Sequence, residues 1–119
     1  MHRQKFDSVL KSTAGLFRLL SHPDRIRLIG LLFNKEMDVS SLAEASRISH
    51  SSVSQHLKLM KMHGAVSERR VANHVYYSLK ILELQKLIML AAAIAIQTRE
   101  QLMTNDLDLF QEMLSLYQG

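Results

Sequence analysis

The sequence contains no cysteine. That excludes disulfides, thiolate metal sites, persulfide chemistry and thiol redox switching within the chain. Long apolar runs are missing as well. The longest, Leu87 to Ile96, has ten residues, whereas a membrane-spanning helix needs about 20, so it reads as a buried helix. No apolar stretch follows the opening residues Met1 to Asp7, and no secretory leader is expected. Paired carboxylates, a Gly-rich phosphate loop and an HExxH motif are all lacking. Ser54 and His56 are close in sequence, but residues two apart on a helix point away from each other. The chain is therefore expected not to be an enzyme, and no cofactor is expected. Repeats, low-complexity tracts and linkers are not evident, so 119 residues read as one domain, residues 1–119, large enough for a core and small enough to benefit from a partner subunit.

Charge is unevenly distributed. The net charge is +4, yet residues 1–80 hold 13 Lys and Arg against 6 Asp and Glu. Residues 81–119 hold 2 against 5. A basic surface attracts phosphate through counterion release; by itself it is equally a solvated face.

Hydrophobic spacing predicts the elements. Phe6, Val9, Leu10, Thr13, Phe17 and Leu20 recur at helical intervals over residues 4–20. Ser21-His22-Pro23-Asp24 restarts a helix, with proline in its first turn and Asp24 at the positive end of the dipole. This second helix runs to about Phe33 with Ile26, Ile29, Leu32 and Phe33 inward, and Asn34-Lys35-Glu36 breaks it. Met37-Asp38-Val39 suggests a short strand. Ser41-Leu42-Ala43-Glu44 fits a capping box for a short third helix ending near Ser46, with Asp38 and Ser40 as alternative caps. Ser49 caps a fourth helix that stops at His63-Gly64. The period then changes to two: residues 65–71 and 74–79 are strands joined at Ala72-Asn73. Ile81 to about Leu102 is a long helix, and Asn105 to Tyr117 a last one with Leu107, Phe110, Met113, Leu114 and Tyr117 inward.

The fourth helix carries most information. Val53, Leu57 and Met60 form one apolar seam, and Ser51, Ser52, Ser54, Gln55 and Lys58 occupy the other faces. Such a helix docks by one stripe and offers donors and acceptors on the opposite one. With a short helix before it and a basic hairpin after it, the fold class is mainly α with a small β-hairpin wing. It is a winged helix-turn-helix of order α-α-(β)-α-α-β-β-α-α, expected to bind double-stranded DNA. The DNA-binding core is expected at about 21–80 and dimerisation helices at about 4–20 and 81–117.

Two stretches carry a family resemblance. One is Leu16-Phe17-Arg18-Leu19-Leu20-Ser21-His22-Pro23-Asp24-Arg25-Ile26-Arg27-Leu28-Ile29. The other is Ser41-Leu42-Ala43-Glu44 followed by Ile48-Ser49-His50-Ser51-Ser52-Val53-Ser54-Gln55-His56-Leu57-Lys58. Both resemble the ArsR/SmtB-type repressors, and Val75-Tyr76-Tyr77-Ser78-Leu79 is similar to that family's second wing strand. The resemblance covers residues 14–80. It implies a homodimeric winged-helix repressor, released from DNA by an inducer that is often a metal ion, with dimer contacts from the first and last helices; the DNA-binding reading places the chain in the cytoplasm. Metal-sensing members often hold an ion through cysteines on the third helix, where this chain has Met37-Asp38-Val39-Ser40-Ser41-Leu42, or through histidine and acidic residues on the long C-terminal helix. Residues 81–119 contain no histidine. Both sensor sites thus look absent, no metal ligand is assigned, and the inducer stays unidentified.

Specific roles follow. On the recognition helix, His50, Ser51, Ser52, Ser54, Gln55 and Lys58 are the expected DNA contacts, with Gln able to pair twice with adenine and Lys58 reading backbone charge. In the turn and wing they are Arg47, Arg69, Arg70, Asn73 and His74, the wing tip entering a minor groove or clamping phosphate. His56 either joins these contacts or packs beneath them. Tyr76 and Tyr77 alternate in facing, so at least one is core. The dimer interface is expected at Phe6, Leu10, Leu87, Leu90, Ala91 and Ile94. The long helix is apolar on more faces than one core covers, and its alanines allow close approach; cover by the chain's own first and last helices is the competing reading. DNA would carry an inverted-repeat operator matching the dimer.

Two further functions stay open. In one, the same repressor responds to a metal through histidine and carboxylates, His2 meeting Asp106, Asp108 or Glu112 across the dimer. His56 and His63 lie about 10 Å apart along one helix and cannot share a tetrahedral ion unaided. In the other, the winged helix binds a protein instead of DNA, which the basic recognition helix and wing argue against, because a protein interface core is normally depleted of Lys.

Overall fold

Apolar side chains on four consecutive helices define where the chain must close on itself. The computed structural model describes residues 2–98 and 104–118, with only the backbone of 104–106. The elements are α1 His2–Leu19, α2 Pro23–Asn34, α3 Val39–Ser46, α4 His50–Met62, β1 Val66–Val71, β2 His74–Leu79, α5 Glu83–Gln97 and α6 Thr104–Gln118. The expected end of the long helix near Leu102 lies outside the described residues. The two strands form an antiparallel hairpin with Val66 opposite Leu79, Arg69 opposite Tyr76 and Val71 opposite His74. The architecture is a winged helix-turn-helix.

Local signals explain most boundaries. Pro23 opens α2, and the His22 side chain accepts the Asp24 N–H at 3.1 Å. Ser49 accepts the Ser52 N–H at 3.2 Å and starts α4. Gly64, at φ +73°, turns the chain out of α4 in the left-handed region that glycine enters without strain. One expectation is corrected here, and one choice between caps is resolved. Residues 37–39 do not form a strand: Met37 makes one isolated bridge to Tyr77, Asp38 caps the next helix and Val39 is its first residue. The Asp38 side chain accepts the Ser41 N–H at 2.8 Å, so of the caps the sequence offers Asp38 is the one used, and Ser41 lies inside the helix instead of capping it.

The core is continuous. Leu28, Ile29, Leu42, Val53, Leu57 and Met60 are fully buried. They join α2, α3 and α4 beneath the hairpin, where Ala65, Val66 and Leu79 close the layer. Each contributes roughly 2 kcal/mol by leaving water. α2 is the hub, packing against α3, α5, α6 and β2. Gly30 lets α6 approach: a Cβ there would meet Leu116 Cγ at 2.8 Å. Tyr117 is buried nearby and donates its hydroxyl to the Ile26 carbonyl at 3.2 Å, and its burial pushes the phenol pKa far up.

The last helix departs from expectation. Leu107 is 54% exposed, because α6 meets α2 through its C-terminal half, where Leu116 and Tyr117 supply the contact. On α1 only Leu19 is buried. Phe6, Val9, Leu10 and Phe17 are each at least half exposed, so the described residues leave most of the apolar stripe of α1 uncovered.

Candidate nucleic-acid interface

The seam of α4 fixes what its other faces can do. With Val53, Leu57 and Met60 wholly buried, His50, Ser51, Ser54, Gln55 and Lys58 are exposed and Ser52 is half-buried. Ser51 Oγ lies 3.4 Å from Ser49 Oγ at the cap. His50 Nε2 lies 3.4 Å from Ser40 Oγ, which draws the ring toward α3. Gln55 and Lys58 follow on the exposed surface, one turn apart. Short polar groups at the start of a helix with a lysine farther along suit base edges and then phosphate.

Arg47 sits at the turn between α3 and α4. Its φ of 61° is left-handed, and its N–H bonds the Ala43 carbonyl at 2.9 Å, closing α3. The backbone that ends α3 therefore presents an exposed guanidinium beside the start of α4.

The wing residues are less free than their sequence suggests. Arg69 forms a two-pronged pair with the Glu36 carboxylate, and its guanidinium lies 5.3 Å from the centre of the Tyr76 ring. The hydrogen bond from Arg69 holds Glu36 below the usual carboxylate range. His74 Nδ1 lies 3.8 Å from Asp38 Oδ2. Lys61 donates to Glu68 at 2.6 Å, fastening the end of α4 to β1. Arg70 and Asn73 are exposed, and Arg70 has no ion pair among the described residues. Glu36 and Asp38 were missed as site residues. Glu36 stands in a segment read as a helix break and Asp38 in one read as a short strand and an alternative cap, and pairs 33 and 36 residues apart leave no periodic signal.

His56 packs beneath the exposed face. Its side chain is 13% exposed. Its ring meets His22 edge-on at 4.6 Å, and its Nε2 lies 3.8 Å from Asp24 Oδ2. Burial, then the neighbouring His22 and Arg25, push its pKa down toward the neutral imidazole, against the pull of Asp24. Tyr77 is the inward wing tyrosine, exchanging both backbone hydrogen bonds with Met37, and burial raises its phenol pKa.

Comparison with known proteins places this geometry. Residues 22–68, from the start of α2 into β1, match the family described as bacterial regulatory protein, arsR family. The transcriptional repressor SdpR of Bacillus subtilis is 34% identical over 71 residues, covering 60% of this chain and 79% of that protein. The chain belongs to the ArsR family.

A transcriptional repressor SmtB homolog from Synechocystis is 41% identical over 66 residues, which span 56% of this chain and 50% of the relative. The ArsR-family chain thus spans only half of that relative's length. Among solved structures, NolR from Sinorhizobium fredii superposes with a TM-score of 0.69 at 29% identity, covering 76% of this chain and 90% of that one. The matched segment contains all of α4, Arg47 and Glu36. The wing tip, α1, α5 and α6 fall outside it. Among the described residues no helix is long and apolar enough to cross a membrane.

Proposed function

We propose that this chain is a homodimeric transcriptional repressor that binds an inverted-repeat DNA operator in the cytoplasm, without catalytic activity. One observation carries the reading: α4 buries Val53, Leu57 and Met60 completely while keeping Ser51, Ser54, Gln55 and Lys58 exposed beside the Arg47 guanidinium. A helix held that way leaves its polar face free to meet an outside partner. SdpR and the SmtB homolog, both named transcriptional repressors, favour DNA as that partner.

Residues 21–80 act as the DNA-binding core. His50, Ser51, Ser52, Ser54 and Gln55 read base edges; Arg47, Lys58, Arg70, Asn73 and His74 hold the backbone. Arg69 takes part through the charge that Glu36 leaves unneutralised. α1 and residues 81–117 form the dimer. Phe6, Val9, Leu10 and Phe17 on α1 and Leu90 and Ile94 on α5 are each at least half exposed, a larger set of apolar side chains than a monomer usually leaves in water. Leu87 is half-buried against the chain's own core and Ala91 is exposed beside it, so Leu87 supports the interface from behind.

Fluorescence anisotropy with a labelled duplex across a salt series tests the DNA reading. Expected is a linear fall of log affinity with log salt, with a slope of several units. Binding with no salt dependence, or none at low salt, would overturn it.

A further inference from the structure

Three chemistry-bearing side chains, two from the start of α2 and one from α4 more than 30 residues on, meet behind α4. His22 stands at the start of α2, Asp24 lies in its first turn, and His56 is at the middle of α4. One ligand atom from each lies within 4.8 Å of those from the other two, the one such cluster among the described residues. All three side chains are half-buried. None belongs to the exposed set of α4, and none coincides with the third-helix or C-terminal-helix positions that the family resemblance associates with metals.

We propose that His22, Asp24 and His56 form a site for one divalent cation of the zinc, nickel or cobalt kind, tying the start of α2 to the middle of α4. Two imidazoles and one carboxylate are ligands for these borderline ions; magnesium and calcium prefer all-oxygen sites. Three protein ligands leave a fourth position for water. The surroundings set the direction of approach. Arg25 is held by the carbonyls of Leu19 and Arg18, and its Nη1 lies 3.5 Å from His56 Nδ1. The guanidinium therefore occupies the Nδ1 side of the ring, and Nε2 faces Asp24. The carboxylate offsets the positive end of α2, which would otherwise repel a cation.

Loading the site requires modest rearrangement. Around a tetrahedral ion with bonds of about 2.1 Å, ligand atoms lie about 3.4 Å apart. The three side chains must close by on the order of 1 Å, and Asp24, with 39% of its side chain exposed, has room to swing. An imidazole bound through Nε2 carries its proton on Nδ1. His22 then gives up the bond from the Asp24 N–H, and His56 its contact with Arg25. Arg25 keeps both carbonyls. Ion binding thereby exchanges the cap of α2 for coordination to α4, the helix whose direction the α2 scaffold sets.

Cobalt(II) is the probe, titrated into the full chain and followed by its visible d–d absorption, with zinc as competitor. His22→Asn removes the imidazole but keeps a side chain that caps helices well. Asp24→Asn removes the charge, and His63→Gln is the control at the far end of α4. Thermal melts of each variant check folding. The site predicts one cobalt per chain, displaced by zinc, bound on the order of a hundredfold more weakly by folded His22→Asn or Asp24→Asn and unchanged by His63→Gln. No binding at micromolar cobalt, or equal binding by the His22→Asn and Asp24→Asn variants, would overturn it. Neither outcome depends on whether the chain binds DNA.

Discussion

Arg69 at the wing and Glu36 after α2 are bound to each other by two hydrogen bonds across 33 residues. The pair anchors β1 to the segment that leads into α3, and it partly neutralises the most obvious phosphate-binding side chain of the hairpin. The pair is exposed, so its contribution to stability is small, but its effect on the wing's field is direct.

Wing substitutions should therefore rank in an order that sequence alone would not give. Arg70→Ala should reduce the salt slope of DNA binding by about one unit. Arg69→Ala should reduce it by less, because Arg69 is already paired with Glu36 and neutralises less phosphate than the unpaired Arg70. Glu36→Gln should tighten binding by releasing the Arg69 charge. Anisotropy titrations of the three variants over one salt range measure all of this; weaker binding by Glu36→Gln would contradict it.

Arg47 combines a strained backbone with an exposed charge. A left-handed conformation costs a non-glycine residue roughly 1–2 kcal/mol, which glycine avoids, while glycine's larger unfolded-state entropy takes back part of that gain. Arg47→Gly should leave folding stability unchanged or raise it by up to about 1 kcal/mol while weakening DNA binding. Urea melts and anisotropy on the same preparation separate the two effects. A large loss of stability would mean that the side chain, rather than the turn, is what the fold needs.

The apolar side chains left exposed on α1 and α5 predict the oligomeric state. Ile94 is 52% exposed and Leu90 61%. Ile94→Glu should halve the mass seen by sedimentation, from twice 13.6 kDa to a single chain, and should lower affinity for a two-half-site duplex far more than for one half-site. A wild-type monomer at micromolar concentration would contradict the dimer.

These residues also mark how far the sequence could be read. The seam Val53, Leu57 and Met60 announced both the helix and its outward face, because burial at a 3.6-residue period leaves a regular trace. Ser49 and Gly64 marked the ends of α4 for the same local reason. Asp38 was harder. Ser41 with Glu44 imitates a capping box, and only the packed chain shows that Asp38 reaches the Ser41 N–H first. The pairing of Arg69 with Glu36 and the meeting of His22 with His56 depend on how α2, α4 and the hairpin pack. No periodicity encodes that. Leu107 illustrates the opposite error: helical spacing places it on the inward stripe, but α6 docks through its other end.

The cap at Asp38 sets an acid limit. Its hydrogen bonds from Ser41, backbone first, hold its pKa below the usual aspartate value, with His74 adding a smaller pull. A lowered folded pKa contributes stability above the unfolded value, and that contribution is lost as pH falls through the folded one. The carboxylates of Glu36 and Glu68 are lowered as well, by Arg69 and Lys61. Thermal stability should thus hold from neutral pH to about 5 and fall below about 4. Asp38→Asn retains a capping side chain without the titration and should flatten part of that fall in a pH series of melts. An unchanged acid profile would remove Asp38 from the explanation.

The most direct test of α4 as the reading element is selection of bound duplexes from a random-sequence pool, run in parallel on the wild type and Gln55→Ala. The wild type should enrich an inverted repeat with half-sites about 10 base pairs apart, or a multiple of that. Gln55→Ala should relax one position in each half-site, at about 1–3 kcal/mol of lost discrimination, while leaving the spacing intact. Failure to enrich any sequence, or an enriched motif identical in the two proteins, would contradict the assignment of α4 as the helix that reads DNA.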